Sequence, residues 1–148
     1  MRLTTKGRYA VTAVLDLALH QDDGPVSLAA ISERQHISLS YLEQLFAKLR
    51  RNDIVCSTRG PGGGYTLKNK VDEVSVSDII IAVDEVCKVV DCDESEGCHG
   101  DYQCLTHDLW QELSNEIRSF LDGITLSEIM AQESVTDVKL RQDEISAQ

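Results

Sequence analysis

Cys92, Cys98, Cys104 and His107 stand at Cys-x5-Cys-x5-Cys-x2-His within one aperiodic stretch, CDESEGCHGDYQCLTH. Three thiolates and an imidazole in so short a segment can bind a soft or borderline metal. Structural zinc sites usually pair their cysteines in C-x2–4-C knuckles, and no such pair occurs here. The wider, glycine-relieved spacing suits a loop folded around something larger than one ion, such as an iron–sulfur cluster on thiolate ligands. His107 falls in the first turn of a predicted helix, whose positive end favours an anionic group. Asp91, Asp93, Glu94, Glu96 and Asp101 surround the ligands and favour a cation instead. From spacing alone, cluster and zinc both remain open. His99 is a rival fourth ligand, and Cys87 lies near enough to be a spare. Cys56 and Cys87 are otherwise expected to be inert packing residues, and His20 and His36 surface residues at element ends.

The whole chain narrows the choice. Five cysteines, an odd count, argue against a disulfide framework. MRLTTKGRYAV has no apolar core of a secretory signal, and the longest wholly apolar run, Ile79 to Val83, is far too short to span a bilayer. A cytoplasmic protein without membrane contact is expected. The formal net charge of −11 divides unevenly. Residues 1–70 hold ten Lys/Arg against six Asp/Glu, net +4, and the remainder holds four against nineteen, net −15. One half faces a polyanion and the other repels it.

The elements that must position these groups follow from periodicity. KGRYAVTAVLDLALHQ predicts a first helix, with Tyr9, Ala13, Val14, Leu17 and Ala18 near helical spacing, ended by the turn signal DDGP. VSLAAISERQ predicts a second, with Ser27 as its N-cap. SLSYLEQLFAKLRR predicts a third, in which Leu42, Leu45, Phe46 and Leu49 form the apolar stripe and Ser40 with Glu43 a capping box. IVCSTR and YTL flank GPGGG as a two-stranded hairpin. SVSDIIIAVDE predicts a fourth helix, LTHDLWQELSNEIRSFLDGI a long amphipathic one, and TLSEIMAQ a short one with a Thr125–Glu128 box. From about Ser134 the chain is polar and aperiodic, and a disordered tail is expected. This order is that of a mainly α fold, a winged helix-turn-helix domain with a long C-terminal dimerisation helix. The expected divisions are 1–84 for the winged domain, 85–104 for the ligand loop, 105–133 for the dimerisation and short packing helices, and 134–148 for the tail.

Opposite its apolar stripe the third helix carries Ser40, Gln44, Ala47 and Arg51, flanked by Glu43 and Lys48. Gln44 can read an adenine edge and Glu43 can accept from a cytosine amino group. Arg51 and Lys48 suit phosphates. The plainer readings are a solvated amphipathic surface and, for Glu43, closure of the capping box. RGPGGGY places four glycines around one proline, more than a tight hairpin needs, which points to close approach to a phosphate with Arg59 directed at nucleic acid. A nucleotide-binding P-loop is excluded, since no G-K-[ST] and no helix follow the glycines. In the long helix, Trp110, Leu113, Ile117, Phe120 and Ile124 are spaced 3, 4, 3, 4 as a heptad seam, widened by Leu109 and Leu121. Packing within the chain is the simpler use of such a face, but a small winged domain has little surface to cover it. A two-fold dimer gripping two half-sites is the favoured reading.

MRLTTKGRYAVTAVLDLAL, ISLSYLEQLFAKLRRNDIV, STRGPGGGY and the Cys-x5-Cys-x5-Cys-x2-His loop together resemble the bacterial iron–sulfur cluster regulators, a family of winged-helix repressors. The resemblance covers about residues 1–135. It implies a homodimeric transcription factor with one 2Fe–2S cluster per protomer on Cys92, Cys98, Cys104 and His107. It also implies a DNA-contacting set of Ser38, Ser40, Tyr41, Glu43, Gln44, Lys48, Arg51, Arg59, Gly60, Pro61 and Gly62, acting on double-stranded operators. The cluster-loaded form is expected to repress the genes for cluster assembly, the assembly machinery being the cluster donor. The cluster-free form is expected to keep binding at a second class of sites. No nucleophile, base and orienting group pair up, so the chain is read as a regulator rather than an enzyme. A nitric-oxide or redox-sensing repressor and an iron–sulfur carrier are the alternatives, though a carrier would leave the basic helix and wing without a use.

Overall fold

In the computed structural model, residues 5–83 and 103–147 are described. Helix α1 (Thr5–His20) is followed by a 3-10 turn (Gln21–Asp23), α2 (Leu28–Gln35), α3 (Leu39–Arg51), strands β1 (Val55–Thr58) and β2 (Gly64–Leu67), and α4 (Val76–Ala82). Then come α5 (His107–Asp122), α6 (Leu126–Met130) and α7 (Glu133–Ser146). Mostly helical with one two-stranded antiparallel wing, the chain has the winged helix-turn-helix architecture expected from its pattern.

One core joins these elements. Ala10, Ala13, Val14 and Leu17 line the inner face of α1, and the alanines let neighbouring helices approach it closely. Against them pack Ile31 of α2, Leu42, Leu45, Phe46 and Leu49 of α3, and Ile79 of α4. Burial of each large side chain is worth roughly 1.5–3 kcal/mol. Tyr9, expected in this stripe, is instead partly exposed, its ring edge-on to Tyr41 at 5.9 Å. Leu126 is fully buried in the same core, and its N–H donates to the Val74 carbonyl while the Val76 N–H donates to that of Ile124. α6 is thereby stitched to the winged domain across a Ser75–Thr125 bridge.

Caps explain where the helices begin. Ser27 Oγ accepts from the Ala30 N–H, as expected. For α3 the N-cap is Ser38, whose Oγ accepts from the Tyr41 N–H at 3.1 Å, so the capping box expected at Ser40 and Glu43 does not form. The flanking apolar residues decide the choice. With Ser38 as cap, Ile37 and Leu42 occupy the two staple positions and both are buried. With Ser40 as cap those positions would fall to Leu39 and Gln44, both exposed. The reciprocal capping box lies at Ser75 and Asp78. At Thr125 the side chain accepts from the Glu128 N–H.

The structure differs from the expected disordered tail: α7 occupies most of 134–148 and docks beside α1 and α2. Asp143 reaches His20, and Gln142 pairs with Gln35. These contacts span more than a hundred residues of sequence, so no local pattern announces them. His20, expected at the surface, is accordingly half-buried.

Candidate DNA interface and metal-ligand segment

Helix α3 turns its apolar stripe inward and leaves Ser38, Ser40, Glu43, Gln44 and Arg51 exposed, with Ala47 and Lys48 half-buried. Without the capping box, Glu43 sits one turn inside the helix with its carboxylate on the solvent face. Tyr41 is half-buried against the core, so its ring packs on Tyr9 as well as bordering this face. The Arg51 side chain folds back, its Nε donating to the Ala47 carbonyl at 3.3 Å.

The wing is fixed to this helix. Tyr65 of β2 packs its ring on Phe46 at 4.9 Å, and the Arg50 guanidinium reaches Ser57 Oγ of β1 at 3.4 Å. Val26 and Tyr65 exchange backbone hydrogen bonds at 2.9 and 2.8 Å, adding a third short edge to the hairpin. Arg59, Gly60, Pro61 and Gly62 form its exposed tip. The glycines have an internal explanation beside the one expected from sequence. Gly60 and Gly62 take φ of 98° and 74°, and a Cβ at Gly63 or Gly64 would lie 2.4 Å from the Thr58 or Val26 carbonyl oxygen. All four serve the turn and its backing, whatever the tip touches. Sequence reasoning passed over Arg50, whose place at the junction of helix and wing follows from the stripe only once the wing is docked. Cys56, expected to pack, is exposed on β1, where Val55 alone of the four strand residues is buried.

Behind α3, a buried ion pair sets the pose of α2. The Asp16 carboxylate, fully buried, accepts from Arg34 Nε at 2.9 Å, Arg34 Nη2 at 2.7 Å and Gln35 Nε2 at 2.7 Å. The hydrogen bonds it donates to Asp16 hold the Arg34 guanidinium above its ordinary pKa, against the opposing effect of burial. Such bidentate pairs fix geometry as well as charge.

Of the expected metal ligands, Cys104 and His107 are described, while Cys92 and Cys98, with Cys87 and His99, lie outside the described residues. Among the described residues no group of three or more His, Cys, Asp or Glu is placed to hold a metal. Cys104 and His107 share one turn, the His107 N–H donating to the Cys104 carbonyl at 3.2 Å. His107 opens α5 and is buried, and Cys104 is half-exposed. The donor chemistry fits a thiolate-ligated cluster: a soft thiol and a borderline imidazole, set at the positive end of a helix that favours an anionic centre.

The α5 seam is largely open. Leu109, Leu113 and Phe120 are 55%, 42% and 66% exposed, and Trp110, Ile117 and Ile124 are half-buried. Ile124 lies just past the end of α5. Buried positions on this helix are His107 and Ser114. Among the described residues no helix is long and apolar enough to cross a membrane.

Comparison with known proteins agrees with this architecture. A model of the Rrf2 family, described as an iron-dependent transcriptional regulator, matches residues 3–132 and stops where α7 begins. The HTH-type transcriptional regulator IscR of Aliivibrio salmonicida is 59% identical over 97% of this chain and 85% of its own. That of Pectobacterium carotovorum is 58% identical over 97% and 87%. Among solved structures, T. potens IscR superposes with a TM-score of 0.73 at 38% identity, covering 90% of each chain. CymR, the global cysteine regulator of B. subtilis, gives 0.74 at 32% identity over 87% of this chain and 95% of its own. These relatives are named as regulators of transcription, in keeping with the absence of catalytic pairings in the sequence. The chain belongs to the Rrf2 family of winged-helix transcriptional regulators.

Proposed function

We propose that this protein is a cytoplasmic homodimer that reads double-stranded operators and couples that reading to a 2Fe–2S cluster, one per protomer. The observation that carries the DNA reading is the rigid union of α3 and wing, with Ser40, Glu43, Gln44 and Arg51 outward beside Arg59. Gln44 and Glu43 have the acceptor and donor chemistry to discriminate base edges in a major groove. Arg51, Lys48 and Arg59 neutralise phosphates, Ser38 and Ser40 present hydroxyls at the helix N-terminus, and Tyr41 borders the same end. The turn Gly60-Pro61-Gly62 carries Arg59 to the wing tip. The open face of Leu113, Ile117 and Phe120, with Trp110 and Ile124 at its ends, is covered by the same face of a second copy.

Cys92, Cys98, Cys104 and His107 are the residues that would hold the cluster. When bound, it supplies an occupancy that follows cellular iron–sulfur supply and oxidants. Cys104 and His107 lie where the loop enters α5, so ligation there acts on the dimerisation helix itself. The imidazole is neutral as a ligand, where a fourth thiolate would add a negative charge to the centre. Repression of cluster-assembly genes in the loaded state, with the assembly machinery as donor, makes a feedback loop. Binding to a second class of sites continues without the cluster. The similarity to regulators named IscR supports this reading.

Selection of duplexes from a random pool by the full chain, prepared without oxygen, tests it. A two-fold consensus should be enriched, and Arg59→Ala should bind it more weakly. Failure to enrich any consensus overturns the operator reading.

A further inference from the structure

Helix α7 buries none of its side chains, and Val138, Leu140 and Ile145 are 52%, 55% and 72% exposed. A cavity of about 280 Å³, lined in part by Leu15, Leu19, Val135 and Val138, separates it from α1. Apolar packing therefore holds α7 weakly, and a lone helix of 14 residues is marginal in water. Its attachment is polar and concentrated near its C-terminal end. Gln142 and Gln35 pair reciprocally at 2.9 and 3.2 Å. The second hydrogen of each amide goes to the Arg34 carbonyl, at 3.4 Å, and to Asp16 Oδ2, at 2.7 Å. Asp143 Oδ1 lies 2.7 Å from His20 Nε2. α7 thus grips the last residue of α1 and the last two of α2. Only His36 and Ile37 separate Gln35 from Ser38, the cap of α3.

The histidine in this grip has a defined protonation requirement. Nδ1 of His20 faces the Asp16 backbone carbonyl at 2.8 Å, and Nε2 faces a carboxylate. Neither partner has a hydrogen to give. Both contacts form together only when each ring nitrogen carries a proton, that is, as the imidazolium. The surrounding charges agree. The Asp16 carboxylate is 3.6 Å from Nδ1, and Asp23 lines the adjoining groove. Arg34 is engaged by Asp16 at 2.7 Å, and Lys139 by Asp143 at 2.8 Å. Lys139 first, and then His20, hold the Asp143 carboxyl below its ordinary range, so at neutral pH it accepts rather than donates.

We propose that α7 is a positioning clamp on the helix-turn-helix whose His20–Asp143 contact needs a proton on each ring nitrogen, so that loss of one proton leaves α7 held by the Gln142–Gln35 pair alone and loosens the seating of α2 ahead of α3. The effect on DNA rests on α3 being the reading helix; the clamp itself does not. One proton is taken up on closing, so the closed-to-open ratio falls by at most about tenfold per pH unit. Asp143→Asn separates the clamp from general effects of pH. The asparagine amide can donate to an unprotonated Nε2, leaving the contact intact with neutral His20.

The experiment is hydrogen exchange of the α7 amides in the full chain between pH 6 and 8.5, each rate divided by its intrinsic value. It is paired with affinity for the selected duplex at constant salt. Wild-type protection should fall several-fold or more across this window and duplex affinity should fall with it, while Asp143→Asn stays flat in both. A flat wild type, or the same slope in Asp143→Asn, overturns the clamp. A slope in protection with constant duplex affinity overturns its positioning role. Absence of duplex binding at every pH, with the slope in protection intact, would instead count against α3 as the reading helix and leave the clamp standing.

Discussion

Asp16→Ala is the sharpest perturbation of the scaffold behind the recognition helix. The carboxylate has no exposed surface and accepts three side-chain hydrogen bonds, two from Arg34 and one from Gln35. Arg34 is itself only 12% exposed. Truncation removes the counter-charge but leaves the guanidinium in place, desolvated and unneutralised by Asp16. Breaking one side of a buried pair typically costs about 3–5 kcal/mol. That is a third or more of the stability of an ordinary domain. At roughly 2–4 °C per kcal/mol for a chain of this size, the midpoint should fall by about 10 °C. The assay is urea and thermal unfolding followed by far-ultraviolet circular dichroism. Replacing both partners with apolar residues, Asp16→Leu with Arg34→Met, removes the unpaired charge and should recover much of the loss. A loss below about 1 kcal/mol for Asp16→Ala, or a double variant no better than the single, would refute the argument that this pair is a desolvated and mutually dependent unit.

At the DNA face, Glu43→Ala should relax discrimination among duplexes more than it lowers affinity, since the carboxylate does not cap α3 and is proposed to read a base; competition among selected and mismatched duplexes checks this. Arg51→Ala should weaken all duplexes alike and shallow the salt dependence by about one unit, measured as log affinity against log salt. Gly64→Ala would place a Cβ 2.4 Å from the Val26 carbonyl, so it should part β2 from residue 26 and lower the thermal midpoint by several degrees, in contrast to an exposed wing change such as Thr58→Ala. His107→Cys should keep a cluster, lower its reduction potential through the added negative charge, and slow the decay of visible absorbance in air; equal or faster decay would mean that the imidazole does not set lability.

The fold was legible where burial and periodicity coincide. Leu42, Leu45, Phe46 and Leu49 announce α3 because one face of that helix is dry and the other wet. Its first residue was less legible, because Ser38 and Ser40 are both competent caps. Only the burial of Ile37 and Leu42 chooses between them. The glycines of the wing were visible, but the hairpin's own need for all four was not. Positive φ and the closeness of residue 26 are properties of the docked hairpin and leave no separate mark in the sequence. α7 was missed for the clearest reason: it buries nothing, and its partners His20 and Gln35 lie more than a hundred residues away. The candidate site is read almost wholly from sequence. Residue types and spacing mark a metal-ligand segment, the family resemblance implies its donor set, and of these residues the structure describes Cys104 and His107, one turn apart at the head of α5.

The central claim, a sensor cluster on Cys92, Cys98, Cys104 and His107, is tested most directly by the visible absorption spectrum of protein purified without oxygen. The wild type should be coloured, with charge-transfer bands that disappear in Cys92→Ala, Cys98→Ala and Cys104→Ala and persist in a variant lacking both Cys56 and Cys87. A colourless wild type holding zinc, or loss of colour in the Cys56/Cys87 double variant, would contradict it.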